Sequence, residues 1–102
     1  MDFRVVLSPK AKEDADAILT WLHTEQAGET GLRWFHRLGK AIRSLSYMPA
    51  RCRVANESAS VGFEMRQLLF RTRFNIYRIL FMIMDNVVYV VGIRHGRRNY
   101  LQ

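Results

Sequence analysis

Arg94, His95, Arg97 and Arg98 crowd into "GIRHGRRN", residues 92–99, directly after the apolar run Val87–Val91. Like charges packed this closely gain little for folding. Their planar, donor-rich forks suit a polyanion that meets them, whether nucleic acid, an acidic protein, or each in turn. His95 adds a group whose ordinary pKa of about 6.5 suits proton transfer near neutrality. Two further arginines stand inside apolar stretches, Arg66 in "FEMRQLLF" and Arg78 in "NIYRILFMIM". An unpaired charge there is costly. Each therefore either serves a ligand or pairs with a carboxylate such as Glu57 or Glu64, and both readings stay open.

The charge is distributed to match. The 102 residues carry a formal net charge of +7. Residues 1–50 contribute a net of +1, whereas residues 51–102 hold nine arginines, no lysine, and three acids (Glu57, Glu64 and Asp85), a net of +6. The single cysteine, Cys52, excludes an internal disulfide, and no histidine adjoins it in sequence to activate it as a nucleophile. There is no glycine-rich phosphate loop and no clustered metal-ligand spacing, so neither a cofactor nor a metal is implied. The start shows no signal-peptide pattern. The longest apolar run, "ILFMIM", falls far short of the roughly 20 residues of a membrane span. A cytoplasmic protein with no membrane partner is expected.

The positioning elements follow from periodicity. "DFRVVL" alternates as a short strand. Ser8 and Pro9 then form a helix start, an N-cap followed by a proline at the first helical position. Ala11, Ala15, Ile18, Leu19 and Leu22 share one stripe of a helix ending near Thr24. A second helix is expected over 30–47 with Leu32, Phe35, Leu38, Ile42 and Leu45 inward. Trp21 and Trp34, each within an amphipathic helix, are expected in the core, and His23 and His36 are assigned no chemistry. "MPARCRVANESASVG" reads as loop. Three strands follow at 63–70, 75–84 and 87–94, the last two joined by the tight turn Asp85-Asn86.

The expected fold is α+β in the order β-α-α-β-β-β, a small antiparallel-rich sheet in one domain with a helical hairpin on one face. Period-2 alternation places Arg66 and Arg78 on the other face of neighbouring strands, with Arg94, Arg97 and Arg98 near one end of it.

"GFEMRQLLF", "YRILFMI" and "VVYVVGIRHGRR", in this order after a helical hairpin, resemble the RelE/ParE superfamily of bacterial type II toxins. "SPKAKEDADAI" and the Pro49-x-Arg51 that follows the second helix extend the resemblance over nearly the whole chain. It implies a compact toxin neutralised by a cognate acidic antitoxin that wraps the sheet, with operator DNA bound only through the antitoxin complex. One branch cuts mRNA on the ribosome by driving the ribose 2′-hydroxyl onto the adjacent phosphate. That reaction needs a proton acceptor, cations around the phosphorane and an acid for the leaving oxygen. The other branch, of ParE type, poisons DNA gyrase and is not an enzyme.

Position by position, Arg66 matches a basic residue on the second strand and Arg78 the arginine at the scissile phosphate. Arg97 or Arg98 matches the basic residue beyond the last strand. The catalytic set so implied is Arg66, Arg78, His95 and Arg98, with Arg94, Arg97 and Tyr100 holding phosphate. Glu64 stands where a second lysine would, and Tyr100 is the nearest substitute for a more distal tyrosine. Some ribonuclease members use Glu, Arg and His, which Glu57 or Glu64 could form with Arg78 and His95. "IRHGRR" is not the usual ending of the gyrase branch. A ribosome-dependent mRNA endoribonuclease is the first expectation, a gyrase poison the alternative, and a non-toxic basic RNA-binding domain the third reading.

Overall fold

The computed structural model describes residues 2–25, 28–72 and 75–96. Strand β1 (Arg4–Leu7) leads into helices α1 (Pro9–Glu25) and α2 (Gly28–Arg43). Two short 3-10 turns, Ser44–Ser46 and Pro49–Arg51, precede the two-residue strand β2 (Arg53–Val54) and the one-turn helix α3 (Ser58–Val61). Strands β3 (Arg66–Arg71), β4 (Ile76–Met84) and β5 (Val87–His95) complete the chain order. The expected order is present, with β2 and α3 added inside the stretch read as loop.

Ser8 caps α1 as its type and place require: its Oγ accepts the backbone N–H of Ala11 at 3.0 Å. The sheet order is β1-β5-β4-β3-β2. β1 runs parallel to β5, because the helical hairpin carries the chain from one edge and the three later strands return antiparallel to one another. Asp85, with φ +56°, occupies the left-handed region in the two-residue β4–β5 turn. A bulge between Leu80 and Phe81 inserts Val91 on β5. Asp14 of α1 accepts the N–H of Ile93 just beyond it at 2.9 Å.

One core fills the space between hairpin and sheet. Tyr77, Ile79 and Phe81 of β4 and Val88, Val90 and Ile93 of β5 meet Ala11, Ala15, Leu22, Trp34, Leu38, Ile42 and Leu45. Ile79, Phe81, Val88 and Val90 are fully buried, each contributing roughly 1.5–3 kcal/mol relative to an exposed side chain. α2 is rotated from its expected setting. Trp34 takes the buried position, stacking edge-on to Tyr77 at 5.6 Å, while Leu32 and Phe35 are exposed. Trp21, expected inside, is about half exposed on α1.

The opposite face of the sheet is only partly open. Ala55, Met65 and Leu80 form a second buried cluster there, with Val91 against it. The loop between β2 and β3 starts and ends at this cluster, with Ala55 and Met65, and its Glu57 determines the environment of Arg78.

Candidate functional site

Arg78 sits mid-sheet on β4, between β3 and β5, and its alternation sends it to the face away from the helices. It is the one charged residue buried among the described residues. The chain satisfies it internally. Its two terminal nitrogens donate to the two carboxylate oxygens of Glu57 at 2.8 and 2.7 Å. Gln67 Oε1 accepts from Nη2 at 2.8 Å and from Nε at 3.2 Å. Such a fork-to-carboxylate pairing is the strongest geometry open to a guanidinium.

Glu57 reaches Arg78 because its loop is closed at the neck. The Ala55 N–H donates to the Met65 carbonyl at 2.7 Å. Ser58 Oγ donates to the same carbonyl at 2.9 Å and accepts the Met65 N–H at 2.7 Å. Gly62, at φ +80°, turns the chain back after α3, a conformation that strains other residues. Hydrogen bonding to Arg78 holds the Glu57 carboxyl below its ordinary range, against the opposing effect of burial, with a smaller contribution from the charge of Arg94. Glu57 is thus an ionised acceptor with both oxygens engaged. Arg94 lies directly opposite Arg78 across the β4–β5 ladder.

Arg66 lies elsewhere, which corrects its expected placement beside Arg78. The β3–β4 register pairs Arg66 with Phe81 and Leu69 with Arg78. Arg66 therefore shares the helix-side face of Phe81 and sits at the sheet margin. It donates to the carbonyls of Ala50 and Cys52 and pairs with Glu64 at 3.2 Å, anchoring the segment between α2 and β2. Glu64 is largely exposed and faces Arg66, not Arg78.

His95 is also on the helix-side face. It stands opposite Tyr77 in the ladder, its ring edge-on to the tyrosine at 5.4 Å. Its Nε2 lies 2.8 Å from Asn75 Oδ1. Of the set Glu57, Arg78 and His95, the fold joins the first two and puts the sheet between them and the third. Gly96 follows where no Cβ would fit: one built there would lie 2.7 Å from the Ile76 carbonyl oxygen. Arg97, Arg98 and Tyr100 lie outside the described residues. Cys52 is buried, and desolvation raises its pKa despite the opposing charges of Arg51 and Arg66, leaving it a poor nucleophile.

Two polar partners were not singled out from sequence. Gln67 orients Arg78, and Asn75 orients His95. Gln67 could have been found, since it stands two positions before Leu69, which faces Arg78 on the same side of the sheet. Leu69, opposite Arg78 on β3, is exposed, as are Val61 and Phe63 on the loop that supplies Glu57. The arrangement binds and positions an oxyanion. Among the described residues it does not place an acid–base pair around one.

No curated protein sequence matches the chain. Among solved structures, the fold matches one described as the chromosomal ParDE TA system from P. aeruginosa. The TM-score is 0.73 at 17% identity, covering 91% of this chain and 95% of that one. No helix among the described residues is long and apolar enough to cross a membrane. The family model described as ParE toxin of type II toxin-antitoxin system, parDE, matches residues 5–100. With that match over nearly its whole length, the chain belongs to the ParE toxin family of type II toxin–antitoxin systems.

Proposed function

We propose that the chain arrests growth in the cytoplasm by poisoning DNA gyrase through binding alone, and that a cognate acidic antitoxin neutralises it. The observation that carries this reading over mRNA cleavage is the separation of His95 from Arg78 by the sheet. Cleavage through the 2′-hydroxyl needs a proton acceptor and convergent cations on one side of the scissile phosphate. Here Glu57 has both oxygens committed to Arg78, Glu64 serves Arg66, and His95 faces Tyr77. Exposed Leu69 opposite Arg78, with exposed Val61 and Phe63 on the loop that supplies Glu57, fits a protein target better than a ribose-phosphate backbone.

The antitoxin part rests on family membership and on the +6 balance of residues 51–102. Purified gyrase, relaxed plasmid and ATP provide the test. Adding the chain should accumulate linear, gyrase-linked DNA, and the antitoxin encoded beside it should reverse this. Undisturbed supercoiling, together with cleavage of mRNA in a translating extract, would refute the reading.

A further inference from the structure

α2 turns toward solvent a face that takes no part in the Arg78 site. Trp34, Leu38 and Ile42 bury one side of this helix in the core. At 3.6 residues per turn, Arg33, Arg37, Lys40 and Arg43 fall on the outer side, and all four are exposed. Residues 31–43 contain no Asp or Glu. Arg33 and Arg37, Arg37 and Lys40, and Lys40 and Arg43 are therefore like charges at three- or four-residue spacing, which weakens a helix.

Folding accounts for only part of this stripe. Arg37 donates to the Arg71 carbonyl at 3.0 Å and lies over the Phe70 ring, tying α2 to the sheet. Lys40 and Arg43 stand in the last turn, where the helix dipole favours cations. Arg33 has neither role. Arg33, Lys40 and Arg43 have no acidic partner among the described residues. Gly39 lies under the end of Arg43, since a Cβ built there would come within 3.1 Å of its Nη1. The Arg43 guanidinium is thus laid back along the helix, over the preceding turn.

We propose that this outer face of α2 binds the phosphate backbone of duplex DNA. A chain seated on gyrase through the opposite, Arg78-bearing face of the sheet then also grips the DNA that gyrase holds. That last step rests on the gyrase reading above. The choice of ligand follows from what the stripe lacks. A protein interface has an apolar centre, and on α2 the exposed Leu32 and Phe35 lie to one side of the cations. A phosphate backbone needs only cations in a row. From Arg33 to Arg43 is about 15 Å at 1.5 Å per residue, which passes several phosphates at about 3.4 Å of duplex axis each.

Two variants of equal charge separate this face from net charge. One is Arg33→Gln/Lys40→Gln/Arg43→Gln. The other is Arg4→Gln/Arg53→Gln/Arg71→Gln, three exposed arginines on β1, β2 and β3. Glutamine suits a helix, and relief of like charge should leave the urea midpoint of the α2 variant undiminished. Binding to a short fluorescent DNA duplex is followed by anisotropy over a salt series. The α2 variant should lose salt dependence by about 1 in slope per phosphate contact removed, up to about 3, and Arg33→Gln alone by about 1. The sheet variant should keep a slope close to that of the unmodified chain. With gyrase and plasmid, the α2 variant should need a several-fold higher concentration to accumulate linear DNA. Equal losses in the two variants would overturn the proposal, because net charge alone would then explain them. So would tighter binding of single-stranded RNA than of the duplex, or a loss confined to antitoxin affinity. DNA binding that depends on α2, in a chain that leaves gyrase undisturbed, would uphold this face and refute the gyrase reading.

Discussion

Arg78 and Glu57 stand 21 residues apart in sequence, and the fold brings the guanidinium on β4 and the carboxylate on the β2–β3 loop together at 2.7 and 2.8 Å. Both side chains are nearly buried, at 8% and 12% exposure. Solvent screens them little. Leaving either one alone therefore costs far more than removing both.

Glu57→Ala should destabilise the domain by about 3–5 kcal/mol, since it strands a buried arginine. The double variant Glu57→Ala/Arg78→Met should recover most of the loss that Glu57→Ala or Arg78→Met causes alone. Urea denaturation of the two single variants and the double variant measures the coupling directly. Additive losses would mean that the two charges do not stabilise each other in the folded chain.

The same pair makes stability depend on pH. The folded chain holds the Glu57 carboxyl below its ordinary range, chiefly through hydrogen bonding to Arg78. The unfolded chain then binds the proton more readily, so stability rises with pH across that window. The contribution is fully present above the ordinary glutamate pKa of about 4.3. It is lost as pH falls through the lower folded value. Glu57→Gln should flatten this acid limb, which midpoints of urea unfolding between neutral and strongly acid pH would show.

Arg66 should prove an anchor. Arg66→Met removes the donors to the Ala50 and Cys52 carbonyls and should lower stability by roughly 2 kcal/mol, within the range for charged hydrogen bonds. Growth arrest at a temperature where the variant remains folded should be retained. Loss of arrest with undiminished stability would return Arg66 to the functional surface.

Much of the fold was legible because its signals are local. Ser8 and Pro9 mark the start of α1, and alternation in "NIYRILFMIM" separates Tyr77, Ile79 and Phe81 from Arg78. The setting of α2 was not legible. Leu38, Ile42 and Leu45 are compatible with either Leu32 and Phe35 or Trp34 on the same stripe, and only packing against Tyr77 and Phe70 selects Trp34. The face of Arg66 depends on its register with β4, a long-range property that alternation within β3 cannot supply. α3 is four residues of "SASV", too short for any periodicity. Opposite charges at Glu57 and Arg78 were visible as a possible pair. The choice between Glu57 and Glu64 awaited the closed neck at Ala55 and Met65.

Electrostatics should steer antitoxin capture. The net charge of +7 is concentrated in the arginine-rich second half, so association with an acidic partner should slow as salt rises while dissociation changes less. Stopped-flow association at two ionic strengths checks this. A rate indifferent to salt would remove charge from the account of how the partners meet.

The central claim is that the chain acts on gyrase by binding and cleaves no RNA. Its most direct measurement follows an arrested cell minutes after induction without antitoxin, mapping RNA 5′ ends beside an SOS reporter. The account predicts intact translated messages, a strong SOS signal and cleaved chromosomal DNA. In-frame cuts in translated messages with a silent SOS reporter would contradict it, and would require Arg78 to leave Glu57 and meet an acid–base group that this fold holds on the other side of the sheet.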